Sequence, residues 1–367
     1  MTGNHEPQRV LMTADTVGGV WTYALELARA LPQIEFAIAT MGVAITDEQR
    51  SEAAQVRNVT LYPSTYALEW MDDPWRDVNA AGEWLLELAT EFGAELIHLN
   101  GYVHAALPWN APVIVVAHSC VLSWWSAVKK SPLPLAQDEY RRRVAEGLNA
   151  ADHVIAPTAA MLDSLSVNYA WFGEGSVIFN ARDPQFFAPR EKRNCIFAAG
   201  RLWDEAKNLA ALDAVAPRVR WPIEVAGNSA HPNGAALEFQ HVHSLGRLSS
   251  ADLAERLGTS AIYALPARYE PFGLSAVEAA LSGCALVLGD IATLREVWAD
   301  SALFVDPDDH DALAATLNQL IDDDAMRTHL AQRARQRAAE FSPHRMAEAY
   351  RNAYRDSVTR HNYEVAA

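Results

Sequence analysis

The chain is predicted to be an α/β protein with two doubly wound parallel-sheet domains. Three observations predict this: apolar strand-like runs alternate with amphipathic helical stretches almost throughout, the alternation restarts near the middle of the chain, and 367 residues suffice for two ordinary domains. Half of the residues are hydrophobic, enough for two sizeable cores.

In the first half, Arg9 to Asp15 reads as a strand, Gly18-Gly19 as a turn, and Val20 to Leu31 as a helix stopped by Pro32. Glu35 to Met41 and Val59 to Pro63 read as further strands, and residues 66–76 as an irregular piece with Trp70 and Trp75. A helix over 77–92 leads to strands Leu96–Tyr102 and Pro112–His118. A long loop with Trp124, Trp125, Lys129 and Lys130 is expected next, then a helix over 136–150, a strand His153–Pro157 and a helix over 159–168. Val177 to Arg182, followed by Pro184 and Pro189, reads as a hinge.

The second half gives strand Cys195–Arg201, helix Lys207–Val215, strand Pro222–Gly227, a loop over 228–240, a strand-like Val242–Gly246 and a helix over 249–258. The apolar run Ala261–Pro266 follows, then a helix through Ala276–Leu281 and a strand Cys284–Asp290. Helices at about 309–322 and 324–340 close this half, and a last helix over about 343–360 carries the stripe Met346, Ala349, Tyr350, Ala353, Tyr354. The expected domains are 1–183 and 184–342, with 343–367 packing back on the first.

Composition excludes several classes. The formal charge is −16; residues 1–180 carry ten Lys/Arg against 21 Asp/Glu, and residues 181–367 carry 20 against 25. Neither half is basic, which argues against nucleic acid as a partner and allows at most peripheral contact with a membrane. Cys120, Cys195 and Cys284 are scattered, with no CxxC, and read as buried thiols of a reducing compartment. Met1 to Gln8 shows no charged n-region ahead of an apolar core, and no apolar segment approaches ~20 residues. A cytoplasmic protein, monomeric or weakly dimeric, is expected.

The stretch Arg268-Tyr-Glu-Pro-Phe-Gly-Leu-Ser-Ala-Val-Glu278 concentrates the chemistry. Its carboxylates Glu270 and Glu278 would stand roughly 80° apart on one helix, but Pro271 and Gly273 break such a helix. Glu270 is therefore expected on a loop after a strand, and Glu278 in an early turn of the next helix. The amides of Phe272, Gly273 and Leu274 would then lie at a helix N-terminus, a natural anion site.

Arg201 and Lys207 flank a short loop and suit a shared anion; only four residues of the chain are lysine, against 26 arginines. A solvated lysine at a helix start is the plain alternative. Gly18-Gly19 permits close approach of backbone to an oxyanion or is simply a structural turn. The missing GxGxxG argues against a nicotinamide dehydrogenase. His118 closes a strand at its carboxyl end, as a structural residue or facing a ligand. Trp124 and Trp125 with Lys129 and Lys130 form either a sugar-stacking acceptor platform or a loop packed by its aromatics. The histidines His98, His153, His241 and His243 assemble into no metal motif, so no metal is expected.

In order, these pieces resemble retaining nucleotide-sugar glycosyltransferases of glycosyltransferase family 4, with the GT-B fold. The resemblance rests on Gly18-Gly19, His118, Val177-Ile-Phe-Asn180, Gly200-Arg201-Leu202 with Lys207-Asn208, and Glu270 with seven residues before Glu278. It implies two Rossmann-like domains facing a central cleft, with the last helix crossing back to the first. It also implies that Arg201 and Lys207 grip the donor diphosphate, that Glu278 binds ribose hydroxyls, and that Glu270 with the amides of 272–274 holds the transferred sugar. Gly19 would touch the phosphates and His118 the sugar. The substrates implied are a nucleotide-diphosphate sugar, UDP-sugar first and GDP-mannose next, and a hydroxyl acceptor (saccharide, lipid-linked sugar or small molecule), with no cofactor. One departure, Asn180-Ala-Arg-Asp183 where many relatives have Asn-Gly-Val-Asp, is expected to bear on the hinge. An epimerase or hydrolase on the same fold, and a non-catalytic nucleotide-sugar binder, are the alternatives.

Overall fold

The computed structural model describes residues 6–131, 134, 137–228 and 238–366. It divides into two compact units: Met1–Ser123 with Ser131–Asn180 and Pro343–Ala367, and Trp124–Lys130 with Ala181–Ser342. The expected boundaries left residues 124–130 in the first domain; the contacts group them with the second.

The first unit is built on strands β1 (Arg9–Asp15), β2 (Glu35–Met41), β3 (Val59–Pro63), β4 (Leu96–Leu99), β5 (Val113–Val116), β6 (His153–Ala156) and β7 (Gly175–Val177). They pair in the order β3-β2-β1-β4-β5-β6-β7, every pair parallel. Continuous apolar runs such as Val113–Val116 are buried throughout, as in a sheet covered on both faces. The order reverses between β1 and β4, so the loops after those two strands diverge there.

The helices of this unit are α1 (Gly19–Ala30), α2 (Asp47–Ala54), α3 (Trp75–Phe92), α5 (Asp138–Ala150) and α6 (Ala159–Tyr169), while α4 (Val121–Lys129) follows β5 and has its residues from Trp124 onward grouped with the second unit. The long loop expected around Trp124 is instead α4. Its bulky Leu, Trp and Val side chains favour packing over a turn, and no Gly or Pro interrupts them. The polar α2 was not legible from apolar periodicity. It is held by a Thr46–Gln49 capping box. The first residues of the helix expected over 136–150 lie partly outside the described residues, as do 229–237 of the expected loop.

The second unit carries β8 (Arg193–Ala199), β9 (Ile223–Ala226), β10 (His243–Ser244), β11 (Ser260–Leu265), β12 (Ala285–Gly289) and β13 (Leu303–Val305), in the order β10-β9-β8-β11-β12-β13, all parallel. Its helices are α7 (Leu209–Val215), α8 (Ser250–Thr259), α9 (Leu274–Leu281), α10 (Ala292–Trp298), α11 (His310–Asp322) and α12 (Asp324–Ala338). Here the order reverses between β8 and β11. Lys207, expected as the first residue of a helix, ends a 3-10 turn Glu205–Lys207; Asn208 takes φ 55°, and α7 starts at Leu209. Asparagine tolerates the left-handed region, so the chain can turn there.

The last helix, α13 (Pro343–Ala366), belongs to the first unit. Its Tyr350 and Tyr354 are fully buried, as the apolar stripe predicts. All three cysteines are free and buried. Among the described residues, no helix is long and apolar enough to cross a membrane.

Candidate functional site

At the reversal point of the second sheet, the loops after β8 and β11 are stitched together. The amide of Arg268 donates to the carbonyl of Ala206 (2.8 Å), and Asn208 Nδ2 donates to the carbonyls of Pro266 (3.0 Å) and Pro307 (2.7 Å). These bonds fix the backbone from which Arg201, Lys207 and Glu270 project. The stem of Lys207 passes over Gly200, its side-chain carbons 3.8–3.9 Å from where a Cβ there would lie, an ordinary contact. Gly227, with φ 147°, closes β9 beneath; a Cβ there would lie 1.8 Å from the Gly200 carbonyl oxygen.

The charges are paired. Arg201 Nη2 donates to Asp204 Oδ2 at 2.8 Å, and Lys207 Nζ is bonded to Glu270 Oε2. Glu270 and Asp204 are both buried, which makes such pairing obligatory. Burial pushes the Asp204 carboxyl up, but Arg201, Lys207 and the N–H groups of Trp124 and Ala206 hold it below its ordinary value. Thr293 Oγ1 donates to the Glu270 carbonyl at 2.7 Å, anchoring the loop from α10.

Glu270 lies on the loop between β11 and α9, and Glu278 in α9, as expected. Gly273 takes φ 88° at the start of α9, where no side chain caps the helix. Glu278 is buried and meets Arg182, Nε to Oε1 at 2.7 Å. The departure at Arg182, expected to bear on the hinge, thus meets a carboxylate of the candidate site. Asp204, Asn208 and Thr293 were not singled out from the sequence, and Arg182 was noted only within a departure at the hinge; Asn208 alone of the four lay within a motif that carried the resemblance.

Residues of α4 join this unit. Trp124 Nε1 donates to Asp204 Oδ1 (3.0 Å), Lys129 Nζ pairs with Glu205 (2.7 Å), and Lys130 Nζ pairs with Asp308 (2.6 Å). Trp125 packs tilted against Trp124, with centroids 6.3 Å apart.

In the first unit, Gly18 (φ 99°) precedes α1 without a side-chain cap, and both Gly18 and Gly19 are exposed. His118 is set by a polar chain. Asn100 Nδ2 donates to the Thr13 carbonyl (2.6 Å), so its Oδ1 must be an acceptor, and His118 Nε2 lies 2.8 Å from it. His118 is therefore protonated on Nε2 and presents Nδ1 as a lone pair. His98 Nε2 approaches the same Oδ1 (3.2 Å), and its Nδ1 lies 2.7 Å from the Tyr354 hydroxyl. Burial pushes both His98 and His118 down to about 3.

The sign of the linkage follows. Between pH 6.5 and about 3 the unfolded chain binds protons that the native chain does not. The stabilisation is complete above pH 6.5 and is lost as the pH falls through this window, by up to about 1.4 kcal/mol per pH unit for each histidine. Urea unfolding from pH 7.5 down to 5 (about the upper half of that window) should show this fall, with a shallower slope in His98→Asn.

Comparison with known proteins bears on the family and the fold. The family model described as Glycosyltransferase Family 4 matches residues 17–186, and that described as Glycosyl transferases group 1 matches residues 180–337. The phosphatidyl-myo-inositol mannosyltransferase of Mycolicibacterium smegmatis is 31% identical over 42% of this chain and 42% of its own length. The O-antigen chain mannosyltransferase B of Escherichia coli is 32% identical over 31% and 30%. The matches thus span less than half the length of these curated relatives. Among solved structures, sucrose-phosphate synthase from Thermosynechococcus elongatus superposes with a TM-score of 0.79 at 18% identity, covering 95% of this chain and 98% of that one. Anabaena HepE in complex with UDP-glucose gives 0.75 at 16% identity, covering 94% and 98%. Together the two family models run from residue 17 to residue 337, and the chain belongs to glycosyltransferase family 4, with the GT-B fold.

Proposed function

We propose that the chain transfers a hexose from a nucleotide-diphosphate sugar to a hydroxyl acceptor, with retention of configuration and without a divalent metal. The observation that carries this reading is the convergence of Arg201, Lys207 and Glu270 at the reversal point of the second sheet, where α/β sheets take their ligands. A UDP-sugar is the first candidate donor, since HepE was solved with UDP-glucose; GDP-mannose is next, since curated relatives are mannosyltransferases.

Breaking the anomeric C–O bond leaves positive charge on the sugar and negative charge on the departing diphosphate. Arg201 and Lys207, with the amide end of α9, oppose the latter as fixed charges. A lysine ammonium has three donors, of which Glu270 takes one, so Lys207 can hold a phosphate oxygen and Glu270 together. Glu270 then accepts from a sugar hydroxyl, and Glu278 from the ribose. His118, neutral with Nδ1 as acceptor, takes a hydrogen bond from the sugar, while Gly18 and Gly19 serve the phosphates through their amides. Its low pKa makes His118 a poor base near neutrality. The acceptor proton therefore passes to the leaving phosphate on the same face. The ring faces of Trp124 and Trp125 are proposed to stack on the acceptor; Lys129 and Lys130 instead serve Glu205 and Asp308.

Product analysis tests this. Incubation with a nucleotide sugar should yield glycosylated product only when a hydroxyl acceptor is supplied, and the product's anomeric proton coupling should match that of the donor. Sugar released equally without acceptor would indicate a hydrolase, and an epimerised donor an epimerase. Because two side-chain cations carry the leaving-group charge, EDTA should leave the rate essentially intact. Abolition restored by Mg²⁺ would contradict the metal-free mechanism.

A further inference from the structure

Arg182 and Glu278 form an ion pair within the second unit, with side chains only 14% and 10% exposed. The arginine is held independently of its partner. Its amide donates to the Phe341 carbonyl (3.2 Å), and its guanidinium lies 5.0 Å from the Phe187 ring centre. Phe341 in turn packs edge-on against Phe272, beside the Gly273 turn that opens α9. A buried carboxylate is inclined to take up a proton, and a protonated carboxyl loses acceptor capacity.

We infer that Arg182 is a positioning residue for the donor: it pairs with the Glu278 carboxylate and fixes it in place, so that the carboxylate accepts both hydroxyls of the ribose. This rests on the reading of Glu278 as the ribose-binding group. The groups that meet Glu278 are Arg182, from the segment after β7, and the Tyr263 hydroxyl of β11, which lies 2.7 Å from Ser275 Oγ and feels the charges of both Glu278 and Glu270. Of these only Arg182 is a cation. Burial raises Glu278, and Arg182 opposes that rise. Without the arginine, Glu278 moves further up, so the defect must be largest in acid and fade as the pH rises.

Isothermal titration of the full chain with UDP, GDP and ADP, at about pH 6 and about pH 8.5, tests this. With the tightest of the three, each variant is compared with wild type at the same pH, since the nucleotide's own terminal phosphate titrates at about pH 6. Arg182→Gln should bind at least ~10-fold more weakly at the lower pH and within ~3-fold of wild type at the higher. Equal weakening at both, or no weakening, overturns the inference. Should Arg182→Gln not fold, Arg182→Lys decides: a shorter, single-point cation predicts a smaller loss of the same pH sign, and a pH-independent ratio to wild type overturns the inference. Glu278→Gln separates the two levels. Loss of binding in that variant upholds the ribose reading whatever Arg182 does. Unchanged binding, or a wild type that binds none of the three nucleotides, overturns both.

Discussion

Lys207→Ala is expected to lower sugar transfer by at least ~100-fold, the scale of losing one charge contact made at the transition state. Lys207 combines three properties that few surface lysines share: its ammonium is engaged by a buried carboxylate, its stem lies over Gly200, and its backbone N–H donates a hydrogen bond to the Asp204 carbonyl (2.9 Å). Each fixes the cation before substrate arrives, so little reorganisation remains for the reaction itself. Truncation also leaves Glu270 buried without its partner, which adds to the cost. Steady-state kinetics should place the loss mainly in kcat, since the diphosphate gains charge only as the bond breaks. A rate within a few-fold of wild type in a folded variant would remove Lys207 from the mechanism.

Glu270→Ala should cost a similar ~100-fold, by a different route. The alanine deletes the sugar-hydroxyl acceptor and also frees Lys207 from its bond, so the cation is no longer held where the diphosphate leaves. Because each side chain positions the other, the double variant should be only slightly worse than either single one, far short of the product of the two losses. Fully multiplicative effects would show that the pair acts as two independent groups. Near-normal turnover in both single variants would sink the assignment of the site.

The fold was legible where one local rule dominates. Runs such as Cys195 to Ala199 and Ala285 to Gly289 are short and apolar without alternation, as a strand covered on both faces requires, and both are buried in parallel sheets. Pro271 and Gly273 likewise located Glu270 on a loop and Glu278 in a helix. Elements failed where that rule is silent. α2 has no apolar stripe, and only its Thr46–Gln49 capping box could have announced it. In α4 the two tryptophans resembled loop aromatics, although a helix carries them. Lys207 was read as a helix start because the left-handed turn at Asn208 leaves little trace in composition.

The site followed the same division. The candidates Arg201, Lys207, Glu270 and Glu278 could be proposed because their order and spacing are local to two short stretches. Their partners could not. That Asp204 receives Arg201 and Trp124, or that Arg182 meets Glu278, depends on how distant segments pack. An arginine at position 182 looks like a hinge variation until α9 is brought beside it.

The central claim is that the second unit binds a nucleotide-diphosphate sugar through Arg201, Lys207, Glu270 and Glu278. Thermal unfolding against a panel of UDP-, GDP- and ADP-sugars tests it most directly, because a ligand bound only by the native state raises Tm by mass action. We predict that one nucleotide series raises the Tm of wild type in a dose-dependent way, and that the shift shrinks sharply in Lys207→Ala and Glu278→Gln. No shift with any of the sugars, or an undiminished shift in both variants, would contradict it.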